Sequence, residues 1–349
     1  MTRPTRPSRP NRGTALVIGV VGVLLAAASL AGCGSSANAD AIRKDGSVDL
    51  SKVTLTVGDQ KGGSQALLSA AHDLKDVPYK IAWKPFTSGP PMLDAISSGA
   101  VDVGGVGNTP PLFAIDQHKK LKVVSAYSQG ATGDAIVVPK DSKVASVADL
   151  KGKKVAVAKG SSANYNLLAQ LDKAGLSFKD ITPVYLQPAE ALAAFKGGSV
   201  AAWAIWDPFT SQAELDTGAR VISDGKGLVN GLAFQVAGDD ALKDKATRTA
   251  LKDFLARLAA AQVWAGEHKD AWSATWAKET GLEPAVTDKA VTRRSYTPLP
   301  IDDQVVSSEQ EMWDAFKKQE QVSADPTLKD WFVTDFNSAI EAASKKAKG

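Results

Sequence analysis

From Lys52 onward the chain alternates short apolar runs with segments of helical spacing, and this alternation limits the folds open to it more than any other feature. Strands are predicted at 53–57, 80–83, 101–106, 122–126, 154–158, 182–186, 200–206 and 220–223. Helical spacing falls between them at 64–74, 91–98, 110–118, 162–174, 189–196 and 208–215. Single helices between successive strands imply an α/β protein of βαβ units with parallel sheets. After Ala237 the pattern turns helical. Leu251, Phe254, Leu255, Leu258, Ala259 and Val263 form one apolar stripe, and Val305, Glu309, Met312, Trp313 and Phe316 nearly repeat it. Trp264, Trp272, Trp276 and Trp331 read as packing residues rather than ligand-stacking ones.

Two further features divide the chain into two lobes. Ala135-Ile136-Val137-Val138-Pro139 is a strand followed by a surface linker at 140–148, and a second apolar strand at 231–237 closes the second βα series. If both strands cross between lobes, lobe one is 51–137 plus 236–349 and lobe two is 138–235. That is a bilobal α/β clamshell with two crossover strands.

The first segment bears on compartment. Arg3, Arg6, Arg9 and Arg12 precede an apolar run from Ala15 to Leu30, which ends in Leu30-Ala31-Gly32-Cys33. A basic region, an apolar region and a small-residue cleavage site make a secretory signal. Leu-Ala-Gly-Cys also resembles the lipobox of bacterial lipoproteins, which implies that the Cys33 thiol takes a diacylglycerol and becomes the first mature residue. The competing reading, an uncleaved transmembrane anchor, meets a run short of the ~20 residues a span needs. The expectation is a lipoprotein signal at 1–33, a flexible tether at 34–50, and a domain exported and lipid-anchored on the outer face of the cytoplasmic membrane.

Charge follows the same division. The whole chain has 41 basic and 38 acidic side chains; without the four leader arginines 37 remain against 38, about −1. The basic balance therefore belongs to the leader and gives no reason to expect nucleic acid. The only cysteine sits at the leader junction, so no disulfide is expected. His72, His118 and His268 have no cysteine partner, and no metal site is expected.

Ligands of open parallel sheets lie beyond the carboxyl ends of the strands. Five strand-to-helix junctions there share one chemistry: Gly58-Asp59-Gln60-Lys61-Gly62-Gly63-Ser64, Phe86-Thr87-Ser88-Gly89-Pro90-Pro91, Gly104-Gly105-Val106-Gly107-Asn108-Thr109-Pro110-Pro111, Lys159-Gly160-Ser161-Ser162-Ala163-Asn164, and Trp203-Ala204-Ile205-Trp206-Asp207-Pro208-Phe209. Each places small polar residues where a helix begins. The open N–H groups and partial positive charge of that first turn suit a small oxyanion. The same residue types are also ordinary N-caps, and both roles can coexist at one loop. Lys159-Gly160-Ser161-Ser162 lacks the spacing of a phosphate loop, and neither serine has a base nearby in sequence. Asp207 before Pro208 reads most simply as an N-cap, whereas Trp206 is placed to pack on the alkyl part of a ligand. No catalytic residue and no cofactor is expected.

Several of these strings, with Gln60-Lys61-Gly62, Ser88-Gly89-Pro90, Gly107-Asn108-Thr109-Pro110-Pro111, Ala202-Trp203-Ala204-Ile205-Trp206-Asp207-Pro208-Phe209 and Arg293-Arg294, resemble the aliphatic-sulfonate-binding proteins of ABC importers. The resemblance implies a type II periplasmic-binding-protein-like fold with a sulfonate in its cleft. Carried over by position, the contacts are Gln60, Ser88, Gly89, Thr109, Ser161, Ser162, Trp206 and Asp207. At two further cleft positions relatives often have Asp and His where this chain has Asn108 and Asn164, which implies a more neutral cleft. The implied partners are a small anionic ligand and an ABC permease with its ATPase. The protein is expected to be a monomer that meets the membrane only through its lipid. Taurine, with Asp207 facing its amine, and nitrate or bicarbonate are the neighbouring alternatives. The alternative from another class is an enzyme of thiamine-pyrimidine synthesis on the same fold. It needs iron ligands or a sacrificial histidine in the cleft, and none of the three histidines lies in a strand-end loop.

Overall fold

The computed structural model describes residues 38–348. Strands β1 (Thr54–Gln60), β2 (Lys80–Phe86), β3 (Val103–Gly107) and β4 (Leu121–Ser128) alternate with helices α1 (Ser64–Ala70), α2 (Gly89–Ser97) and α3 (Thr109–Asp116). A second series follows: β5 (Ala135–Val138), β6 (Lys154–Val157), α4 (Ser162–Lys173), β7 (Thr182–Tyr185), α5 (Pro188–Lys196), β8 (Ala202–Ile205), α6 (Phe209–Thr217) and β9 (Arg220–Asp224). The chain then continues through β10 (Leu232–Gly238), α7 (Asp239–Lys243), α8 (Lys245–Glu267), α9 (Lys269–Thr280), α10 (Pro284–Thr292), β11 (Thr297–Leu299), α11 (Asp303–Lys318) and α12 (Asn337–Ala347). None of the helices among the described residues is long and apolar enough to cross a membrane.

Two sheets form, one in each lobe: β11-β4-β10-β3-β1-β2 and β7-β6-β8-β5-β9. The expected parallel pairing holds for β1 with β2 and β3, and for β6 with β7 and β8. It fails at β10, antiparallel to β3 and β4, and at β5, antiparallel to β8 and β9. Both strands enter their sheet directly from the other lobe, with no crossover helix to turn them round, so they run opposite to their neighbours. Membership also moves the crossings. β5 belongs wholly to the second sheet and β10 wholly to the first, so the chain changes lobe in the loops at 129–134 and 225–231, earlier than residues 137 and 235.

Alternation along each strand feeds both faces of each sheet. In the first sheet Leu55 and Val57 pack under Leu251, Phe254, Leu255 and Leu258, so the apolar stripe of α8 meets the core as its spacing requires. In the second sheet Val137 and Trp203 face α5 and α6. Ile136 and Val138 face the opposite way, into a core shared with Leu112 of α3 and with Trp313 and Phe316 of α11. The helical tail therefore packs on both lobes, not on the first alone.

Cys33 and the leader lie outside the described residues. The segment expected as a tether is described from Asn38, and there it is fixed on the first lobe. The Asn38 side chain accepts from Thr54 N (3.0 Å) and donates to the Thr247 hydroxyl (2.8 Å), and Ala41 is fully buried. Asn38 extends the edge of β1 by supplying hydrogen bonds the strand start would otherwise lack.

Candidate functional site

The carboxyl ends of the strands of both sheets converge on a cavity of about 110 Å³ between the lobes. The first lobe supplies the β1–α1 turn, Gly89 at the start of α2, Gly105 to Gly107, Tyr127, Gln235 of β10, and Arg294 and Tyr296 ahead of β11; the second supplies Ser161, Ser162, Trp206 and Asp207. Of the ten residues proposed from sequence, Gln60, Gly89, Ser161, Ser162, Trp206 and Asp207 line this cavity.

Hydrogen bonds fix four of these six residues, and packing fixes Gly89 and Trp206. The Gln60 amide donates to Gly105 O (2.9 Å), tying the end of β1 to β3. Gly89 leaves no room for a side chain, since a Cβ there would stand 2.7 Å from Pro110 Cγ. Ser161 caps α4: its hydroxyl accepts from Asn164 N (3.2 Å) and donates to Ala158 O (2.7 Å). The Ser162 hydroxyl donates to Asp134 Oδ1 (2.7 Å), so α4 offers the cavity mainly the N–H groups of its first turn. Trp206 stands edge-on to Phe209. Asp207 Oδ1 accepts from Ser211 N (2.9 Å) and its hydroxyl (2.6 Å), the capping role read from the sequence. Its Oδ2 is buried without a hydrogen-bond partner.

Ser88, Asn108, Thr109 and Asn164 are buried outside the lining, and each side chain has a protein partner, although Asn164 Nδ2 is left without one. Ser88 sits at the N-cap of α2, but its hydroxyl donates to Gln187 Oε1 (2.8 Å) across the lobes. Asn108 donates to Asn230 Oδ1 (2.7 Å) and accepts from the Thr109 hydroxyl (3.0 Å). Asn164 Oδ1 accepts from Gly160 N (2.8 Å) and shapes the loop before α4. Asn108 and Asn164 therefore stand behind the lining of the cleft rather than on it. Its character comes from Asp59, Asp207 and Arg294, of which the sequence reading selected only Asp207.

Arg294 lies against the Trp276 ring, 5.2 Å from its centroid, and donates to the backbone oxygen of Asp207 (2.5 Å). Burial works against its charge, but the carboxylates of Asp207 and Asp134 oppose burial, and the guanidinium stays cationic. Burial raises Asp207 too, opposed by the Ser211 hydroxyl and by Arg293 and Arg294. Asp59, bonded to Ser64 N (2.6 Å) and Gln65 N (3.2 Å), is pushed up to about 7 by burial. Trp272, read as packing, is buried and stacked on Trp276, yet it also lines the cavity and donates to the Tyr296 hydroxyl (2.8 Å). The signal for Arg294 was the Arg293-Arg294 pair, whose residues leave a helix end rather than a strand-to-helix junction. Among the described residues no group of three or more His, Cys, Asp or Glu is placed to hold a metal ion.

The lobes are closed on one another. Arg293 pairs with Glu214 (2.5 Å) and Lys289 with the same carboxylate (3.1 Å), which bridges α10 to α6. Two α/β lobes joined by two loops and closed over a polar cavity define a solute-binding protein of the periplasmic type.

Comparison with known proteins narrows the class. A family model described as NMT1/THI5 like matches residues 85–258. A protein of Escherichia coli K12 named for aliphatic sulfonate binding is 37% identical over 266 residues, covering 75% of this chain and 83% of its own. The alkanesulfonate-binding protein SsuA from Xanthomonas axonopodis pv. citri, solved bound to MOPS, superposes with a TM-score of 0.75 at 36% identity, over 80% of this chain and 98% of that one. The periplasmic aliphatic sulphonate binding protein SsuA from Escherichia coli gives 0.70 at 36% identity, over 80% and 92%. The chain belongs to the family of aliphatic sulfonate-binding proteins.

Proposed function

We propose that the chain is an extracytoplasmic solute-binding protein of an ABC importer. It captures a short alkanesulfonate-like anion between its lobes and presents the closed form to a membrane permease and its ATPase. The observation that carries this reading is Arg294, a guanidinium lining a closed cavity that also meets the first turn of α4. A sulfonate has three oxygens, enough to accept from Arg294 and from α4 N–H groups at once. Trp206 packs on the carbon chain, and Gln60, Gly89, Ser161, Ser162 and Asp207 complete the contacts. At about 110 Å³ the cavity suits a small ligand. Capture requires no covalent step: the ligand favours closure because it binds the closed form better than the open one.

A thermal-shift panel on the domain tests this with ethanesulfonate, taurine, sulfate and nitrate. A sulfonate at ~100-fold excess over its Kd should add roughly 2.7 kcal/mol of stability. A shift with nitrate and with no sulfonate sinks the reading. For export and anchoring, the support is the leader and Leu30-Ala31-Gly32-Cys33. In cells fed a labelled fatty acid the protein should take up label at Cys33, and Cys33→Ser should remove the label and release the protein from the membrane. Label retained in the variant contradicts lipidation there.

A further inference from the structure

The lining of the cavity carries both signs of charge: Arg294 and Asp59 both line it, and among the described residues Asp59 is in no ion pair. Asp207 is a different kind of carboxylate: one oxygen is held by Ser211, and Arg293 Nη1 lies 3.6 Å away.

Asp59 wants a cationic donor. Asp59 already accepts the first amides at the start of α1, so the oxyanion position that junction would offer is filled by the protein's own carboxylate. On the same wall is Gln235, only 2% exposed, whose Oε1 has no partner and whose Nε2 is 3.5 Å from the Ser64 hydroxyl. A second anion beside Asp59 would be repelled in this desolvated setting, whereas an ammonium would find a carboxylate and an amide oxygen.

Resting on the sulfonate reading, we propose that Asp59 is a specificity-determining residue. It selects short sulfonates that carry a protonated amine over plain alkanesulfonates, with the sulfonate at Arg294 and the ammonium at Asp59 and Gln235. Burying a plain alkanesulfonate there brings a negative charge toward an unpaired carboxylate, so Asp59 must first take up a proton; an aminosulfonate brings its own.

Calorimetry of the wild-type protein in buffers free of sulfonates tests this with three ligands of one length: 2-aminoethanesulfonate, 2-hydroxyethanesulfonate and ethanesulfonate. The amine should bind at least tenfold more tightly than ethanesulfonate, with the hydroxyl ligand between. Above pH 7 the preference should widen, and ethanesulfonate should bind with proton uptake whereas the amine should not. Asp59→Asn, which keeps an acceptor for Ser64 N, should bring amine and ethanesulfonate within about threefold of each other. Wild type binding ethanesulfonate as tightly as the amine overturns the role of Asp59 and leaves the sulfonate reading standing. Equal discrimination in the variant does the same. Failure of all three ligands to bind overturns both.

Discussion

Glu309 on α11 is fully buried, and its Oε1 accepts from Asn230 Nδ2 (2.8 Å) in the loop where the chain returns to the first lobe. Its Oε2 has no partner, and burial pushes its carboxyl from 4.5 up to about 8. Between those values the folded protein keeps a proton that the unfolded chain has released. The folded state binds more protons, so stability falls as pH rises from about 4.5 through 8. Glu309→Gln keeps the acceptor for Asn230 and removes the titration. Its melting temperature at pH 8 should exceed that of wild type, with a flatter profile above pH 5; scanning calorimetry showing a lower value would contradict this account. Residue chemistry was only partly legible. Ser161 and Ser88 share one signature in the sequence, a hydroxyl opening a helix, yet Ser161 lines the cavity while Ser88 reaches across to Gln187. Which way a cap residue turns depends on a partner about a hundred positions away, and no local spacing encodes that.

Helices and strands were read more closely than directions. The predicted segment at 162–174 is α4 within one residue, because its Ser161 cap and its apolar spacing agree. The reversal of β5 and β10 was hidden, since a strand's apolar pattern is the same in either direction. Closure also belongs to this scale. The ion pairs of Glu214 with Arg293 and Lys289 hold α6 of one lobe to α10 of the other. Half-buried pairs are worth about 0.5–1 kcal/mol each, so Glu214→Gln, which removes two, should favour the open form and weaken ligand binding by about 5- to 30-fold. Small-angle scattering of the unliganded variant should show a larger radius of gyration. Unchanged affinity and unchanged scattering would mean that these bridges do not set the closed state.

For the whole molecule, the two-lobed plan was legible because two βα series are set apart by two apolar strands, and the cavity was not, because a space between lobes is built by residues far apart in sequence. Arg294 and Asp207 are 87 positions apart and meet across the two lobes. A near-neutral domain with a cationic grip at its centre fits a protein that captures an anion and releases it to a transporter. The most direct test is calorimetric titration of 2-aminoethanesulfonate and ethanesulfonate into wild type and Arg294→Gln. Losing a charged donor to a buried anion costs about 2 kcal/mol. Wild type should bind at least one of them at one site per chain, and the variant at least ~30-fold more weakly while remaining folded. Equal affinity in the two proteins would contradict the account.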